Sequence, residues 1–245
     1  MTTSKPSVLV LSLSDPTRDP RVYRQLRFLS GTCDLAFAGL APPESSEITY
    51  FPITRGRGNR GVALGRLLAG AFGSLYWSDP TVVTAWAVLR DHQPDLIVSN
   101  DLSTLPLAVR LGARHGGRVL FDAHEYYPRR LDDRLFFRLF VQRYYDFLCR
   151  RYLPRVDGMT TVCGGIAREY QRVYGVESQV ITNAPFFADL EPGPVRPERV
   201  QMVHHGGLNP SRKLVTMFSL LDHLPERFRL DLLLVNNHRK YFRKI

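Results

Sequence analysis

A histidine and a glutamate directly follow a short apolar stretch that has the composition of a β-strand. The stretch begins at Val119 and runs into Asp122-Ala123-His124-Glu125-Tyr126-Tyr127, after which Pro128 favours the end of the strand. In an open α/β sheet, ligands bind just beyond the carboxyl ends of the strands. We therefore predict His124 and Glu125 as catalytic residues. The other interpretation is a histidine that caps the strand and bonds only to backbone.

Polar side chains also follow two further apolar stretches, residues 7–13 and 95–99. The polar residues are Asp15, Arg18, Asp19, Asn100 and Asp101. Because the carboxyl ends of parallel strands meet at one edge of a sheet, we predict that these residues line the same ligand-facing edge. The loop after residue 13 has no glycine fingerprint, which disfavours dinucleotide binding at this place.

The chain alternates apolar strands with helical segments, which is typical of an α/β protein with a parallel sheet. Strands are predicted at residues 7–13, 34–39, 48–53, 95–99, 119–123, 158–163 and 179–182. Helices are predicted after the N-cap Asp19 and at residues 62–77, 81–92, 105–115, 129–153 and 165–174. The helix at 129–153 contains no glycine or proline, and its apolar residues change faces, so we expect a kink near residues 140–143.

A proline-rich linker at residues 191–199 separates two regions with this alternating pattern. We predict a first domain at residues 1–190 and the start of a second domain at residues 200–245. The second region is predicted to contain a strand at 200–204, a loop at 205–211, a helix at 212–224, a strand at 229–235 and a basic tail at 238–245.

The segment Gly56–Gly61 matches the pattern G-x-G-x-x-G of dinucleotide-binding loops. Pro52 weakens the strand before it, and arginines at 55, 57 and 60 crowd the loop. A basic loop that leads into the helix at 62–77 is therefore the preferred interpretation.

Composition narrows the class of protein. The chain has 245 residues, 44% of them hydrophobic, and three cysteines without paired spacing, so neither a disulfide framework nor a zinc site is predicted. Unpaired cysteines fit a reducing compartment, and we expect a cytoplasmic protein. The beginning of the sequence leaves no room for a signal peptide, and no apolar run is long enough to span a bilayer.

The net charge of +10 comes almost entirely from two segments. Residues 54–78 carry four arginines and no acid, and residues 129–155 carry eight arginines against three aspartates. Both segments interleave arginine with apolar and aromatic residues, a pattern that suits an anionic lipid surface or a polyanion. We expect peripheral association with the inner face of a membrane, and ordinary solvated helix faces are the alternative interpretation.

Several motifs together resemble glycosyltransferase family 4. They are Asp19-Pro20-Arg21-Val22, the segment 122–128, Thr161-Val162-Cys163, Asn183-Ala184-Pro185 and the segment 205–213. The resemblance covers nearly the whole chain and implies the GT-B arrangement of two Rossmann-like domains, each a parallel sheet flanked by helices. The second domain is then truncated. The resemblance further implies transfer of a sugar, with retention and without a metal or other cofactor, from a nucleotide sugar to a glycan or lipid-linked acceptor.

The resemblance also implies roles for individual residues. His124 matches the active-site histidine that approaches the donor sugar, the loop from Asp15 to Arg21 faces the acceptor, and Asn183 lies at the hinge between the domains. The residues that match the donor-diphosphate site are Gly206, Gly207, Arg212 and Lys213. Physical chemistry agrees with this assignment, because a glycine turn before a helix lets backbone N–H groups and a cation approach a phosphate. A glycine turn with solvent-exposed cations is the alternative.

Two departures and one absence weaken the expected donor site. Gly207 stands where many family members have a second phosphate-binding arginine, and Lys213 stands where a glycine usually follows the cation. The paired glutamates that bind the ribose and the donor sugar are missing after Val235. We therefore expect the chain to be inactive alone and to bind nucleotide sugars weakly.

Three other functions fit parts of the sequence. A sugar-nucleotide epimerase would use His124 and Glu125 as acid and base, and a membrane-surface adaptor would use the arginine segments without catalysis. A nucleic-acid-binding protein would explain the charge, but no reader motif is evident, so no nucleic acid is expected as a partner. No metal site is expected either. Asp132-Asp133 is predicted to lie inside a helix, and His204-His205 point to opposite faces of a strand.

Overall fold

The computed structural model describes residues 5–208, 212–235 and 239–242 of the chain. Contacts divide the chain into two compact units, Met1–Pro185 and Phe186–Ile245. Each unit has its own parallel sheet, of seven strands in the first and two in the second. The predicted α/β class, with a parallel sheet flanked by helices, is confirmed.

The first unit is built on a seven-stranded sheet in which every neighbouring pair of strands is parallel. Its strands are β1 Ser7–Leu11, β2 Asp34–Gly39, β3 Thr49–Pro52, β4 Leu96–Ser99, β5 Arg118–Ala123, β6 Gly158–Thr161 and β7 Gln179–Val180. They lie in the order β3-β2-β1-β4-β5-β6-β7. The order reverses between β1 and β4, so the carboxyl ends of β1, β4 and β5 border the place where open α/β sheets bind ligands.

Helices cover both faces of this sheet. They are α1 Pro20–Leu29, α2 Arg60–Leu68, α3 Phe72–Trp77, α4 Pro80–Leu89, α5 Leu105–His115, α6 Gln142–Tyr152 and α7 Gly164–Tyr174. Helix α1 begins as predicted, because the side chain of Asp19 accepts hydrogen bonds from the backbone of Arg21 and Val22. Helix α5 has its predicted bounds and ends at Gly116, which has a positive φ of 80°.

Alternate residues of the central strands feed two separate cores. Val8 and Val10 of β1 pack with Val22 and Leu26 of α1 on one face of the sheet. Leu9 of β1 and its alternate neighbours pack on the other face with residues of α4, α5 and α6. Burial on both faces explains why these strands are continuous apolar runs rather than alternating ones.

The predicted helix at 129–153 is wrong over its first part. The chain leaves β5 through a 3-10 turn at Tyr127–Arg129 and further turns, and regular helix begins only near residue 135. The side chain of Tyr127 is buried and anchors this segment in the core, so the chain turns back before it becomes helical. Asp132 and Asp133 therefore lie in a turn and not inside a helix.

The expected irregularity near residues 140–143 is a π-helix at Phe137–Val141, directly before α6. The extra residue in a π-helical turn rotates the following side chains, and this accounts for the change of apolar face. The predicted helix at 62–77 is likewise two helices, because Gly70 adopts a left-handed φ of 71° between α2 and α3.

The second unit contains strands β8 Val200–Gly207 and β9 Phe228–Val235, connected through α8 Leu214–Leu221, and the single helical turn α9 Arg239–Phe242. The two strands are parallel over their whole length. Among its described residues only Leu208 and Leu214 are fully buried apolar residues, and Val203, Leu233 and Val235 are exposed. One face of this small sheet is therefore largely open. Asn209, Pro210 and Ser211 of the predicted loop, and His238 of the basic tail, lie outside the described residues.

Within the described ranges, none of the helices combines the length and the apolar character that crossing a bilayer requires.

Gly117, directly before β5, is predicted to be essential for packing against the loop that precedes β4. A Cβ atom at this position would lie 2.2 Å from the carbonyl oxygen of Pro94, a backbone atom that cannot rotate away. We expect Gly117→Ala to lower the free energy of unfolding by about 1–3 kcal/mol in urea denaturation.

The matched control is Gly65→Ala in α2, where an added Cβ meets nothing within 4 Å. This variant should gain up to about 1 kcal/mol from helix propensity. Equal unfolding midpoints for the two variants would contradict the close approach of Gly117 to Pro94.

Candidate active site

The structure brings His124, Asp101 and Tyr127 together at the carboxyl ends of β4 and β5. These strands pair with Ser99 opposite Phe121, so the loops that follow them lie side by side. The Nε2 atom of His124 is 3.8 Å from Oδ1 of Asp101, and its Nδ1 atom is 3.5 Å from the Tyr127 hydroxyl oxygen. The imidazole remains about one-third exposed. The predicted catalytic histidine thus lies between a carboxylate and a phenol and can still contact a ligand.

The Tyr127 hydroxyl donates a hydrogen bond to Oδ1 of Asp101 at 3.1 Å. Burial raises the pKa of Tyr127 far above its ordinary value, and the negative charge of Asp101 raises it further. Burial also raises the pKa of Asp101, while His124 and the Tyr127 hydroxyl oppose that change. The phenol therefore stays protonated and acts as a fixed donor to the carboxylate that faces His124.

Local hydrogen bonds fix the loop that carries Asp101. The Thr104 hydroxyl lies 2.8 Å from the Ser99 hydroxyl, donates to the carbonyl oxygen of Asp101 at 2.8 Å, and accepts from its backbone N–H at 3.2 Å. Asn100, beside Asp101, is buried, and both polar atoms of its amide lack a hydrogen-bond partner within the described part of the chain. Both predicted residues of this loop therefore lie at the site edge, Asp101 against His124 and Asn100 beneath the surface.

Glu125 contacts Arg130 and Tyr170 rather than His124. Its carboxylate lies 3.5 Å from Nε of Arg130, and its backbone carbonyl accepts a hydrogen bond from Tyr170 at 3.0 Å. The carboxylate beside the histidine is that of Asp101, which the sequence places on the acceptor side. Sequence reasoning paired His124 with Glu125, its neighbour in the chain. In the structure its neighbour is Asp101, which follows a different strand.

Asp122 lies near the end of β5, two residues before His124. It is the centre of a buried hydrogen-bond network that sequence reasoning did not identify. Its carboxylate accepts two hydrogen bonds from Arg21, one from Gln25 and one from the Thr160 hydroxyl at 2.6 Å. The side chain of Asp122 is only 5% exposed. An acid inside an apolar strand was the available signal, since a buried carboxylate requires charged or hydrogen-bonding partners.

The predicted acceptor-side residues of the β1–α1 loop have structural partners. Asp15 accepts hydrogen bonds from the backbone and hydroxyl of Thr17, which lowers the pKa of Asp15, and lies 3.6 Å from Arg18. Asp19 caps α1, and Arg21 binds Asp122. Arg18 is the most exposed of the charged side chains in this loop and remains available to a ligand.

The predicted donor-phosphate residues lie in the second unit. Gly206 has a φ of 146°, and a Cβ at this position would lie 2.8 Å from an Nη atom of Arg212, so the glycine allows the guanidinium to approach the strand end. Gly207 ends β8, and Lys213 adopts a left-handed φ of 49° directly before α8. In the first unit, the predicted hinge residue Asn183 accepts a hydrogen bond from Arg24 of α1.

A cavity of about 630 Å³ lies beside Asp101 and Tyr127. Its polar wall also includes Arg55 and Arg130. Its apolar wall includes Leu64, Leu67, Leu75, Phe136, Val141 and Leu148. These residues come from α2, α3, the π-helix with its preceding turn, and α6. Sequence reasoning missed the cavity because residues as far apart in the chain as Leu13 and Leu148 form its walls.

Across the described ranges, no cluster of three or more histidine, cysteine, aspartate or glutamate side chains is arranged to hold a metal ion. The Gly56–Gly61 segment is the loop and first turn of α2, whose N-terminal N–H groups at residues 61 and 62 are bound by the Asn59 side chain. A side chain thus occupies the place that a phosphate takes in a dinucleotide-binding loop.

Comparison with known proteins identifies a family whose sequences match this chain. The sequence profile of Glycosyltransferase Family 4 matches residues 21–191. This range includes Arg21, Asp101, Asp122 and His124. No curated protein sequence matches the chain.

Several solved structures share the fold. The chain is similar to Anabaena HepE in complex with UDP and glucose, with 14% identity and a TM-score of 0.61 over 98% of this chain and 64% of that one. It is also similar to the lipopolysaccharide outer core galactosyltransferase WaaB, with 13% identity and a TM-score of 0.55 over 97% of this chain and 64% of that one. The chain thus spans about 64% of the length of these glycosyltransferases, and at this identity the likeness establishes the fold.

Two Asp–Arg pairs at the same sheet edge, Asp122–Arg21 and Asp15–Arg18, are predicted to differ greatly in their contribution to the free energy of unfolding. We expect Asp122→Ala to lower the free energy of unfolding by about 3–5 kcal/mol, because it leaves the Arg21 guanidinium buried without a counter-charge. Urea denaturation followed by circular dichroism measures this loss.

Asp15→Ala is the control, since the Asp15–Arg18 pair lies in solvent and its loss should leave the unfolding midpoint nearly unchanged. Similar midpoints for both variants would show that the Asp122 network does not support the fold.

Proposed function

Because the chain belongs to glycosyltransferase family 4, we propose that it serves the transfer of a sugar from a nucleotide sugar to an acceptor bound at the carboxyl edge of its seven-stranded sheet. The observation that carries this proposal is the group of His124, Asp101 and Tyr127 at the ends of β4 and β5. It combines a partly exposed imidazole with a carboxylate whose side chain is 24% exposed and a phenol that holds its proton. The carboxylate and the phenol can orient the imidazole so that a ring nitrogen faces a polar ligand.

In the proposed reaction, the bond between the anomeric carbon and the donor diphosphate breaks as the acceptor oxygen bonds to the same face of the sugar, and a proton on that oxygen passes to the departing diphosphate. His124 contacts the donor sugar, and Asp101 and Tyr127 hold the imidazole in place. The diphosphate departs with the bonding electrons, and its charge is stabilised by Arg212, Lys213 and the backbone N–H groups of Gly206 and Gly207. These cations perform the charge stabilisation that a metal ion provides in other transferases, so we propose a reaction without a metal.

A uridine nucleotide sugar is the first donor to examine. Among the similar structures, Anabaena HepE has been solved with UDP and with UDP-glucose. We propose that this chain binds its donor weakly, because Gly207 and Lys213 depart from the family pattern and the sheet that presents them has one open face. The three cysteines are unpaired, which supports a cytoplasmic location, where nucleotide sugars are available.

We propose that this chain alone transfers sugar at most slowly, because its donor site departs from the family pattern, and that this residual transfer depends on His124. With millimolar UDP-, GDP- or ADP-sugar and a mixture of oligosaccharide and lipid acceptors, we expect His124→Ala to reduce incorporation of radiolabelled sugar by about 100-fold or more. Calorimetry of the unmodified chain should show dissociation constants near 1 mM or weaker, about −4 kcal/mol.

The control is His223→Ala, an exposed histidine in the second unit, which should leave incorporation unchanged. Equal transfer by the two variants would refute the role of His124. Micromolar donor affinity would refute the proposal that the donor is weakly held.

We also propose that the protein docks on an anionic membrane through an apolar patch. The patch consists of Val62, Leu64 and Leu68 from α2 and Leu135, Phe136 and Leu139 beside and within the π-helix, all of them exposed. The two elements are in contact. Exposed arginines at 60, 134, 138 and 143 accompany them. Apolar side chains that enter the interface, with arginines at the headgroup level, are typical of peripheral membrane proteins.

Charge reversal is predicted to weaken this docking. The double variant Arg138→Glu/Arg143→Glu should lose about 10-fold or more in co-sedimentation with phosphatidylserine vesicles, since each arginine near an anionic surface contributes about 1 kcal/mol. Arg114→Glu, an exposed arginine at the end of α5, is the control and should retain binding. Unchanged partition of the double variant would exclude this face as the docking surface.

A further inference from the structure

The cavity beside His124 differs from a sugar-binding pocket in the character of its walls. Its walls include Leu67, Leu75, Val141 and Leu148, and apolar atoms make up most of the lining surface. A free glycan in this space would leave many of its hydroxyl groups without hydrogen-bond partners, which is unfavourable. An apolar chain, in contrast, would remove these walls from water. The volume of about 630 Å³ is in the ordinary range for small-molecule sites.

The walls of the cavity share two side chains with the apolar patch. Leu64 and Phe136 line the cavity, belong to the patch and are 43% and 53% exposed. The cavity and the surface that we propose docks on the membrane therefore adjoin at these two side chains.

Polar groups of the site also line the cavity. Asp101 and Tyr127 are among them, and both contact His124. Arg55 and Arg130 line it too, Arg55 is exposed, and Arg130 lies 3.5 Å from Glu125. A phosphate that reached either guanidinium group would be neutralised by it.

We propose that this cavity holds the isoprenoid or acyl chain of a lipid phosphate acceptor, which enters from the bilayer past Leu64 and Phe136. The inference rests on the proposed glycosyltransferase function and narrows its acceptor to the lipid-linked class. The chain lies against Leu64, Leu67 and Phe136, and the phosphate lies near Arg55 and Arg130. The apolar patch and the cavity are then one continuous path, which brings a membrane-bound acceptor to His124.

The test uses farnesyl phosphate, below its micellar concentration and without vesicles, and the full chain in equilibrium dialysis. Inorganic phosphate is the probe that lacks the apolar chain. We expect saturable binding of farnesyl phosphate and at least 10-fold weaker binding of inorganic phosphate. Leu64→Asp should weaken farnesyl phosphate binding at least 10-fold, because it places a charge in the cavity wall.

Leu68→Asp is the matched control, since Leu68 lies on the same helix, is 51% exposed and does not line the cavity. It should change farnesyl phosphate binding less than 2-fold, although both variants should weaken sedimentation with vesicles. Phe136→Asp and Leu135→Asp form a second pair with the same expectation, and Leu135 is 61% exposed outside the cavity. All four changed positions are surface-exposed, and circular dichroism confirms that each variant is folded.

Absence of saturable farnesyl phosphate binding, or an equal loss in both members of each pair, would overturn the proposal. The assay contains no donor, so its result is independent of the His124 transfer experiment. Transfer without lipid binding would leave the glycosyltransferase function standing and refute the lipid acceptor. Lipid binding together with transfer that His124→Ala leaves unchanged would refute the role of His124 and identify the cavity as a lipid site.

Discussion

The buried carboxylate of Asp122 is the interaction on which the arrangement of the site depends. It joins Arg21 and Gln25 of α1 to Thr160 of β6 at the point where β5 ends. A carboxylate in the protein interior is costly unless it is paired and fully hydrogen-bonded, and here Arg21 supplies the charge while three side chains supply the donors. Because His124 lies two residues further along the same strand end, this network also determines where its imidazole lies.

Beyond this network, the site combines groups of opposite character. On one side, Asp101 and Tyr127 hold polar atoms in a fixed order, since burial keeps the phenol protonated. On the other side, a cavity whose lining surface is mostly apolar reaches the exposed Leu64 of α2. An acceptor with one hydrophilic end and one apolar end needs both kinds of surface. Polar groups bind the hydrophilic end, and apolar walls keep water from the apolar end.

The two units differ in how completely they bury their strands. In the first, β1 sends alternate side chains into two cores, and helices cover both. In the second, the parallel strands β8 and β9 leave Val203, Leu233 and Val235 exposed. Parallel strands are ordinarily covered on both faces. The acceptor side of the proposed enzyme therefore rests on a firm scaffold, whereas the residues proposed to hold the donor phosphates rest on a weaker one.

Local chemistry in the sequence was sufficient for much of the fold. The apolar runs predict the strands, Asp19-Pro20 predicts the start of α1, and Gly116 predicts the end of α5, because each depends on residues within one or two turns. His124 and Asp101 were placed at strand ends for the same reason. The partners of these residues could not be predicted in this way. Arg21 and Asp122 are 101 residues apart, and the cavity joins side chains from Leu13 to Leu148. Only the packing of the sheet and its helices brings such groups into contact, and sequence spacing carries no record of those distances.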